Sequence, residues 1–522
     1  MNSGDRQIAR GASIVMAGLA LSSLIGLLTT MLVSQAFGTR AEIDAFYAAN
    51  RLPELLFLLL AGGALASAFV PTFTGFLTRG DRPGAWRLAS AVANLVALVL
   101  LAASLLAALG ARWLVTTLLA PGFTDPAQIE LTVSLMRILL LAPTVFGLSG
   151  LLMGILNAHQ RFALPALAPA MYRVGWILGL WLLVPQMGIF GLAWGVVLGA
   201  VLHLAVQVPG LLRLGGRYLP SLGRNNPAVA EVGRLMLPRL LGVAVVQINF
   251  VVNTILASAM PVGSLSALTF AFTLMIMPQA VIGQASAIAA LPTFAAQVSR
   301  GELDALRTSL GSTLRAVYFL ALPASLGLAL LSTPIVSALF ERGAFSADST
   351  EMVAWALIWF ALGLVGHSLL EIVSRAFYAL HDTRTPVRIG VVAMTLNILL
   401  SLALWRAFAA IGWMPHGALA LANSLATAVE CVVLLELLRR RLDGLQAARL
   451  RPGLLAATAS AAVMSLSLVG WLSLTQAWSA IAIAAGGVLL GLGVFLGVAV
   501  VLGAPEPVAL WRAAVRRLSP QP

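Results

Sequence analysis

The sequence predicts an all-α integral membrane protein of about fourteen transmembrane helices, and three observations carry that expectation. Of its 522 residues, 60% are hydrophobic and 10% charged, with a mean hydropathy of +0.97, outside the range of soluble domains. Apolar stretches recur from end to end, each near the roughly 20 residues that cross a bilayer as a helix. Arginines gather in alternate loops. Long unbroken apolar runs without alternating polarity argue against a barrel.

The expected spans lie near 11–36, 52–77, 88–111, 131–156, 164–184, 188–212, 232–259, 265–296, 311–333, 352–379, 386–406, 416–438, 453–474 and 478–502. An even number places both termini on one side. Arg79, Arg82 and Arg87, Arg161, Arg213, Arg217 and Arg224, Arg300 and Arg307, Arg384 and Arg388, and Arg439 to Arg441 share that side with Arg6, Arg10, Arg516 and Arg517. Basic loops stay in the cytoplasm, so a multi-pass protein of the cytoplasmic (inner) membrane with cytoplasmic termini is expected. The net charge of +13, all of its basic side chains arginine, reads as topology rather than as a nucleic-acid surface. Cys431 is the only cysteine and excludes an intramolecular disulfide. The run from Gly11 to about Phe37 is too long for a signal-peptide core and reads as a retained first helix.

An internal repeat organises the chain. Val70-Pro71-Thr72-Phe73 followed by Arg79-Gly80-Asp81 matches Leu291-Pro292-Thr293-Phe294 followed by Arg300-Gly301-Glu302, and 292 − 71 = 221. Pro165 and Pro386 keep that spacing, while Phe123 and Phe345 are 222 apart. The period covers six helices, an even number, so the copies share one orientation, as parallel repeats about an axis along the membrane normal. The expected organisation is an N-lobe over 1–218, a C-lobe over 219–445 with a central cavity between the lobes, and two extra helices with a tail over 446–522.

No catalytic constellation occurs. A phosphate-binding GxxxxGK[ST] loop needs a lysine the chain lacks, and its five histidines show no metal-ligand spacing. No enzyme activity, metal or cofactor is expected. Coupling to an ion or to the membrane potential stays open, with the ion unspecified. The informative residues are ionisable groups in or beside apolar segments, where charge is costly and marks function. These are Asp44, Arg51 and Glu54 around the second helix, Arg137, Arg173 and Arg239 in the fourth, fifth and seventh, and Glu371 and Arg375 in the tenth. All eight are candidate substrate-binding residues. Glu371 and Arg375 are four apart with the acid first, the favourable order for an intrahelical pair, so mutual neutralisation competes with substrate handling. Arg137 and Arg173 lack a partner in their own helices and are candidates for an anion site or for pairing across the cavity, with Glu371 or Glu430 as partner. The small-residue series Gly191, Gly195 and Gly199 reads as close helix packing.

Seven stretches resemble the MurJ (MviN) lipid II flippase family of the multidrug/oligosaccharidyl-lipid/polysaccharide exporter superfamily. They are FGTRAEIDAFYAANRLPELL (37–56), AFVPTF (68–73), APGF (120–123), GILNAHQRFALPALAP (154–169), GVAVVQINFVVNTILAS (242–258), LPASLGLALLSTPIVSALFERGAFS (322–346) and AFYALHDTRTPVRI (376–389). The resemblance implies fourteen helices in two lobes and alternating access that carries undecaprenyl-pyrophosphate-linked precursor from the inner to the outer leaflet. It implies a polyprenyl-linked glycolipid and the bilayer as partners, and a monomer with envelope-synthesis enzymes as candidate associates. It also implies a cationic cavity. Where the family has basic residues in its first, second and eighth helices, this chain aligns Ser23 and Thr29, Phe57 and Leu58, and Thr273. Two other expectations stand beside the first. One is a flippase for a different polyprenyl-linked saccharide, or an amphipathic exporter; the other is a non-transporting scaffold for envelope synthesis.

Overall fold

The computed structural model describes residues 21–60, 64–445 and 447–507. Two compact units divide the chain, Met1–Ser266 with Gly343–Phe345, and Ala267–Arg342 with Ser346–Pro522. In the first unit, α1 covers Leu21–Phe37, α2 Ala41–Leu60, α3 Ala64–Thr78 and α4 Arg82–Leu109. After a short helical stretch over 111–119 come α5 Pro126–Ala158, α6 Ala163–Met187 and α7 Ile189–Leu212, and then α8 Pro227–Ser258. The helix α9, Ser264–Ser299, begins in the first unit and continues in the second. The second unit adds α10 Leu303–Leu330, α11 Ser332–Phe340, α12 Ala347–Ala379, α13 Arg384–Ala410, α14 His416–Arg441, α15 Ala447–Leu474 and α16 Ala480–Val501.

Among the described residues every regular element is helical, and eleven helices are long and apolar enough to cross a membrane. Eleven of the expected spans coincide with these. The other three fall on α1, on α2 with α3, and on α8, which carries Glu231, Arg234 and Arg239 and is less apolar. Residues 11–20 of the first span, and Arg6, Arg10, Arg516 and Arg517, lie outside the described residues.

The period of 221 reappears in the helix boundaries. Helix α4 starts at residue 82 and α10 at 303; α5 covers 126–158 and α12 covers 347–379. Gly80 and Gly301 take φ of 75° and 73° where those turns reverse, and Gln160 and His381 take 56° and 58°. These are left-handed conformations that close a helix C-terminus. The cores repeat as well. Phe73, Ala85, Ala89, Val96, Leu151 and Ile155 are buried together in the first unit. Phe294, Leu306, Leu310, Val317, Ile372 and Ala376, each 221 residues on, are buried together in the second. Helices α15 and α16 lie outside the repeat. They pack Met464, Leu468 and Phe495 against Phe319 and Leu331, and Arg315 of α10 pairs with Glu506 beyond α16.

Apolar helices in lipid gain little from burying one another's side chains, so close backbone approach does the work. Between α6 and α7 a Cβ on Gly175 would stand 2.2 Å from the Gly199 Cα, and one on Gly179 would stand 2.4 Å from the Gly195 Cα. In the loop before α13, Asp382 accepts from the Arg384 and Thr385 amides at 3.1 and 3.0 Å, from the Thr385 hydroxyl at 2.8 Å and from Arg441 at 2.6 Å. Those donors, the Thr385 groups foremost, hold the Asp382 carboxyl at a pKa of about 2, below its ordinary 3.8.

Gly179→Val is expected to destabilise the detergent-solubilised protein by about 1–3 kcal/mol or to prevent its accumulation, since the backbone opposite cannot yield. Gly493→Val, with nothing within 4 Å of its Cβ position, should leave the melting temperature unchanged in the same thermal assay. For Asp382→Asn the sign follows from the depressed pKa. The carboxylate's contribution is complete above the ordinary value and disappears as pH falls from about 4 towards 2, so the melting-temperature deficit of the variant should be greatest near neutrality and shrink across that window.

Candidate functional site

The site residues expected from sequence divide into three local arrangements. The first surrounds Asp44 on the opening turn of α2. Its side chain is buried, and its two carboxylate oxygens accept from the backbone amides of Gly263 at 2.7 Å and Ser266 at 2.8 Å. These are the N-cap and third amides of α9, donors that the helix itself leaves unpaired. An N-cap side chain ordinarily fills that role, but Gly263 has none and sits at φ 94°. Asp44 therefore supplies both halves of a capping box from 219 residues away, and its negative charge faces the positive end of the helix dipole.

The second arrangement joins α2 to α8. Arg51 donates from Nε to the Thr254 hydroxyl at 3.1 Å and from Nη1 to Glu54 at 3.2 Å. Its guanidinium lies 5.6 Å from the centre of the Phe250 ring. Thr254 passes its own proton to the Phe250 carbonyl one turn back, at 2.9 Å, which leaves its oxygen free to accept. The Arg51 side chain is 16% exposed and that of Glu54 44%, so the pair meets solvent or lipid on the glutamate's side. Arg239 also lies on α8, and its side chain is outside the described residues.

The third arrangement centres on Arg173 of α6. Its guanidinium stands 5.7 Å from both the Tyr172 and Trp176 rings, and its Nε is 3.7 Å from where a Cβ on Gly26 of α1 would be. Among the described residues no carboxylate stands within ion-pairing distance of it. The aromatic contacts continue from Trp176 to Tyr172 at 5.9 Å, to Phe146 at 5.0 Å and to Phe57 at 4.6 Å. A wall of four rings thus links α2, α5 and α6, with Arg173 at one end and Phe57 at the other. Sequence reasoning missed this wall. Four rings on three helices carry no periodic signal, and only their packing brings them together. Thr29 and Thr273 direct their hydroxyls to the carbonyls of Ile25 and Thr269 in their own helices.

The remaining residues stand apart from these three. Arg137 is exposed and donates to the Ala108 carbonyl at 3.3 Å, so it meets the negative end of α4. Glu371 and Arg375 pair with each other at 3.6 Å, and Arg375 lies 5.6 Å from the Tyr378 ring.

Imidazoles tie helix pairs in both units, His203 and His416 buried and His367 half-buried. In the first, His203 Nδ1 meets the Ser149 hydroxyl at 2.6 Å, and Gln207 Nε2 donates to that oxygen at 2.7 Å. In the second, His367 Nε2 meets Asn423 Oδ1 at 3.0 Å. Among the described residues no group of three His, Cys, Asp or Glu side chains could hold a metal ion.

Helices of this number and length, with ionisable groups carried inside them, define a polytopic membrane protein, and solved structures of transport proteins share its fold. A structure of "Lipid II flippase MurJ, inward closed conformation" superposes with a TM-score of 0.78 at 23% identity, over 96% of this chain and 99% of that one. An inward-facing multidrug resistance MATE family transporter of the MOP superfamily gives 0.68 at 15% identity, over 83% and 99%. In sequence, the family model described as "Lipid II flippase MurJ" matches residues 33–489. "Lipid II flippase MurJ" of Burkholderia cenocepacia is 33% identical over 393 residues, 73% of this chain and 75% of that protein. "Probable lipid II flippase MurJ" of Bdellovibrio bacteriovorus is 31% identical over 458 residues, 86% of each. The chain belongs to the MurJ family.

Asp44→Ala is expected to lower stability by about 1–3 kcal/mol, because it leaves two buried amides at the start of α9 without an acceptor. Asp44→Asn, which keeps one acceptor oxygen, should lose less, and thermal denaturation of the purified protein compares the two.

Proposed function

We propose that this protein is a lipid II flippase, moving the undecaprenyl-pyrophosphate-linked peptidoglycan precursor from the inner to the outer leaflet by alternating access. The observation that carries the reading is the family match across residues 33–489, together with relatives named for that activity over three quarters or more of their length. It acts as a transporter rather than as an enzyme. Arginine placement supports a cytoplasmic-membrane location with both termini in the cytoplasm. The repeat supports an N-lobe over 1–218 and a C-lobe over 219–445, working as a monomer with envelope-synthesis enzymes as its associates. Neither the alternative cargoes nor the scaffold role is favoured by an observation of its own.

A pyrophosphate leaving water needs cationic partners or fixed donors. Thr29, Phe57 and Thr273 supply no charge, so the proposed anion-binding groups of the first unit are Arg51 and Arg173. Arg51 already shares its charge with Glu54. Arg173 is held by aromatic faces, which position a guanidinium without neutralising it. It is therefore the stronger of the two candidates. The wall from Trp176 to Phe57 offers rings that suit the apolar faces of a saccharide or the start of a polyprenyl chain. Asp44 acts in this scheme by fixing the start of α9, while Glu371 and Arg375 are a locally neutral pair. Arg137 and Arg239 complete the candidate set.

The test is complementation of a strain depleted of its own flippase, read together with the accessibility of lipid II in the outer leaflet. The wild-type chain is expected to restore both, and growth without restored accessibility would overturn the lipid II assignment. Arg173→Ala should lower flipping by about tenfold or more, the equivalent of one lost charge-assisted contact. Arg51→Ala should lower it less, and Arg173→Lys should recover part of the loss.

A further inference from the structure

Helix α13 differs from the other spans in how much of it faces outward. It is the least buried of the eleven described spans, with 17% of its apolar window inside the protein. Its polar groups are buried or bonded within the helix. Asn397 and Ser401 are buried, the serine hydroxyl donating to the Asn397 carboxamide oxygen at 3.2 Å, and Thr395 donates to the Val391 carbonyl one turn back at 3.0 Å. Val391, Val392, Leu399 and Leu402 are among the side chains left exposed. No charged residue occurs between Arg388 and Arg406.

Charge returns at both ends of that stretch, on a spacing that has a physical meaning. Arg388 and Arg406 are exposed, and neither has an ion pair or hydrogen bond with another described residue. Eighteen positions separate them, which at 1.5 Å per residue is about 27 Å along the helix. The hydrocarbon of a bilayer is about 30 Å thick. Both guanidiniums therefore reach headgroup level together, since an arginine stem can extend outward along its helix. Glu430 of α14 lies at the Arg388 end as well, its carboxylate 3.3 Å from where a Cβ on Gly390 would stand. At the Arg406 end are rings. Trp405 adjoins the arginine, and Trp413 is 44% exposed and braced by Phe408 and Trp359 at 5.1 and 5.9 Å. Such residues gather where hydrocarbon gives way to headgroups. The repeat supplies a comparison within the chain: 221 residues earlier, in α6, stand Leu167 and Pro185. The duplicated backbone does not itself call for the arginine pair.

We propose that α13 sets the depth of the second unit in the bilayer, with Arg388 and Arg406 binding phospholipid phosphates at its two surfaces. A guanidinium offers paired donors that match the oxygens of a phosphate. Displacement along the membrane normal towards either surface draws one of the two into hydrocarbon, which is costly. The helix is thus held in both directions. Helix α14 carries the constraint inward, because it packs beside α13 and its Ser424 hydroxyl donates to the Trp359 carbonyl of α12 at 2.7 Å. The inference rests on α13 crossing the membrane and not on the identity of the cargo.

The experiment moves one end of the charged span. The full chain is reconstituted in phosphatidylcholine–phosphatidylglycerol vesicles of graded chain length and its thermal denaturation is followed, a readout that needs no cargo. The wild type is expected to be most stable where the hydrocarbon is about 27 Å thick. In Leu402→Arg with Arg406→Leu the span loses four residues, about 6 Å, and the optimum should move to bilayers thinner by about that amount. Val392→Arg with Arg388→Leu makes the same change from the other end and should move it equally. Arg406→Lys keeps the charge in place and should leave the optimum where it is, which separates a shortened span from a damaged fold. The phosphate contact is read at constant thickness, by replacing the phospholipids with a phosphate-free diglucosyl diacylglycerol. The wild type should lose melting temperature on that exchange, and Arg406→Gln should lose severalfold less. An optimum unmoved in both shortened variants, or moved as far in Arg406→Lys, would overturn the depth assignment, and an equal response of wild type and Arg406→Gln to the headgroup exchange would overturn the phosphate contact. A thickness optimum that moves as expected, in a chain that restores no lipid II accessibility, would sustain this inference and overturn the cargo assignment instead.

Discussion

Hydrocarbon offers no hydrogen bonds, so each polar group carried by these helices needs a partner within the protein or a reason to lack one. The opening of α9 shows the constraint most sharply. Gly263 turns the chain at a positive φ and cannot cap the helix it begins, so the amides of Gly263 and Ser266 would be orphaned without Asp44. The same constraint explains why Thr254 faces Arg51, why Ser149 sits between His203 and Gln207, and why Arg137 reaches the last turn of α4. In each case a side chain on one helix completes the bonding of another, and helix positions become interdependent without a water-driven core.

The parts of the fold legible in sequence were those with short-range or periodic signatures. Apolar length located eleven spans, and Leu-Pro and Arg-Gly landmarks 221 residues apart revealed a repeat that recurs in the boundaries of α4 and α10 and in the buried Phe73 and Phe294. Glu371 with Arg375 was legible as a pair because a helix places residues four apart on one face. The glycines at 191, 195 and 199 were legible as packing for a similar reason. The task of Asp44 was not, because its partners are more than two hundred residues away and are backbone amides, which every sequence has. Nor was the ring wall, since Phe57, Phe146, Tyr172 and Trp176 come from three helices whose rotations only packing fixes.

The repeat supplies scaffold, and the departures from it mark where the halves do different work. The residue 221 positions after Asp44 is Leu265, so the helix-capping carboxylate has no counterpart. His367 stands at the position of Phe146, and Ser424 at that of His203. Both units therefore place an imidazole between the same two helices of the repeat, but from opposite partners: His203 extends from the second helix of its pair and His367 from the first. In the first unit this exchange leaves a phenylalanine at residue 146, where it joins the ring wall. In the second the equivalent place is taken by a polar bridge. Duplicated backbones with exchanged side chains thus put a ring at residue 146 and a hydrogen-bonding imidazole at residue 367.

Charge placement in the first unit follows from that surface. A guanidinium can be positioned by carboxylates, by carbonyls or by aromatic faces, and the choice decides how much charge is left to act on a ligand. Arg51 uses the first and third, and the adjacent glutamate removes most of its field at a distance. Arg137 uses a carbonyl at a helix end, where the dipole absorbs part of its charge. Arg173 uses two rings, whose quadrupoles hold the cation by their faces but carry no net charge. In a low-dielectric setting an unneutralised cation is costly to keep. Its place beside α1 is what the proposed anion-binding role of Arg173 rests on. Along the rest of the wall, from Tyr172 through Phe146 to Phe57, ring faces stand without a charged group.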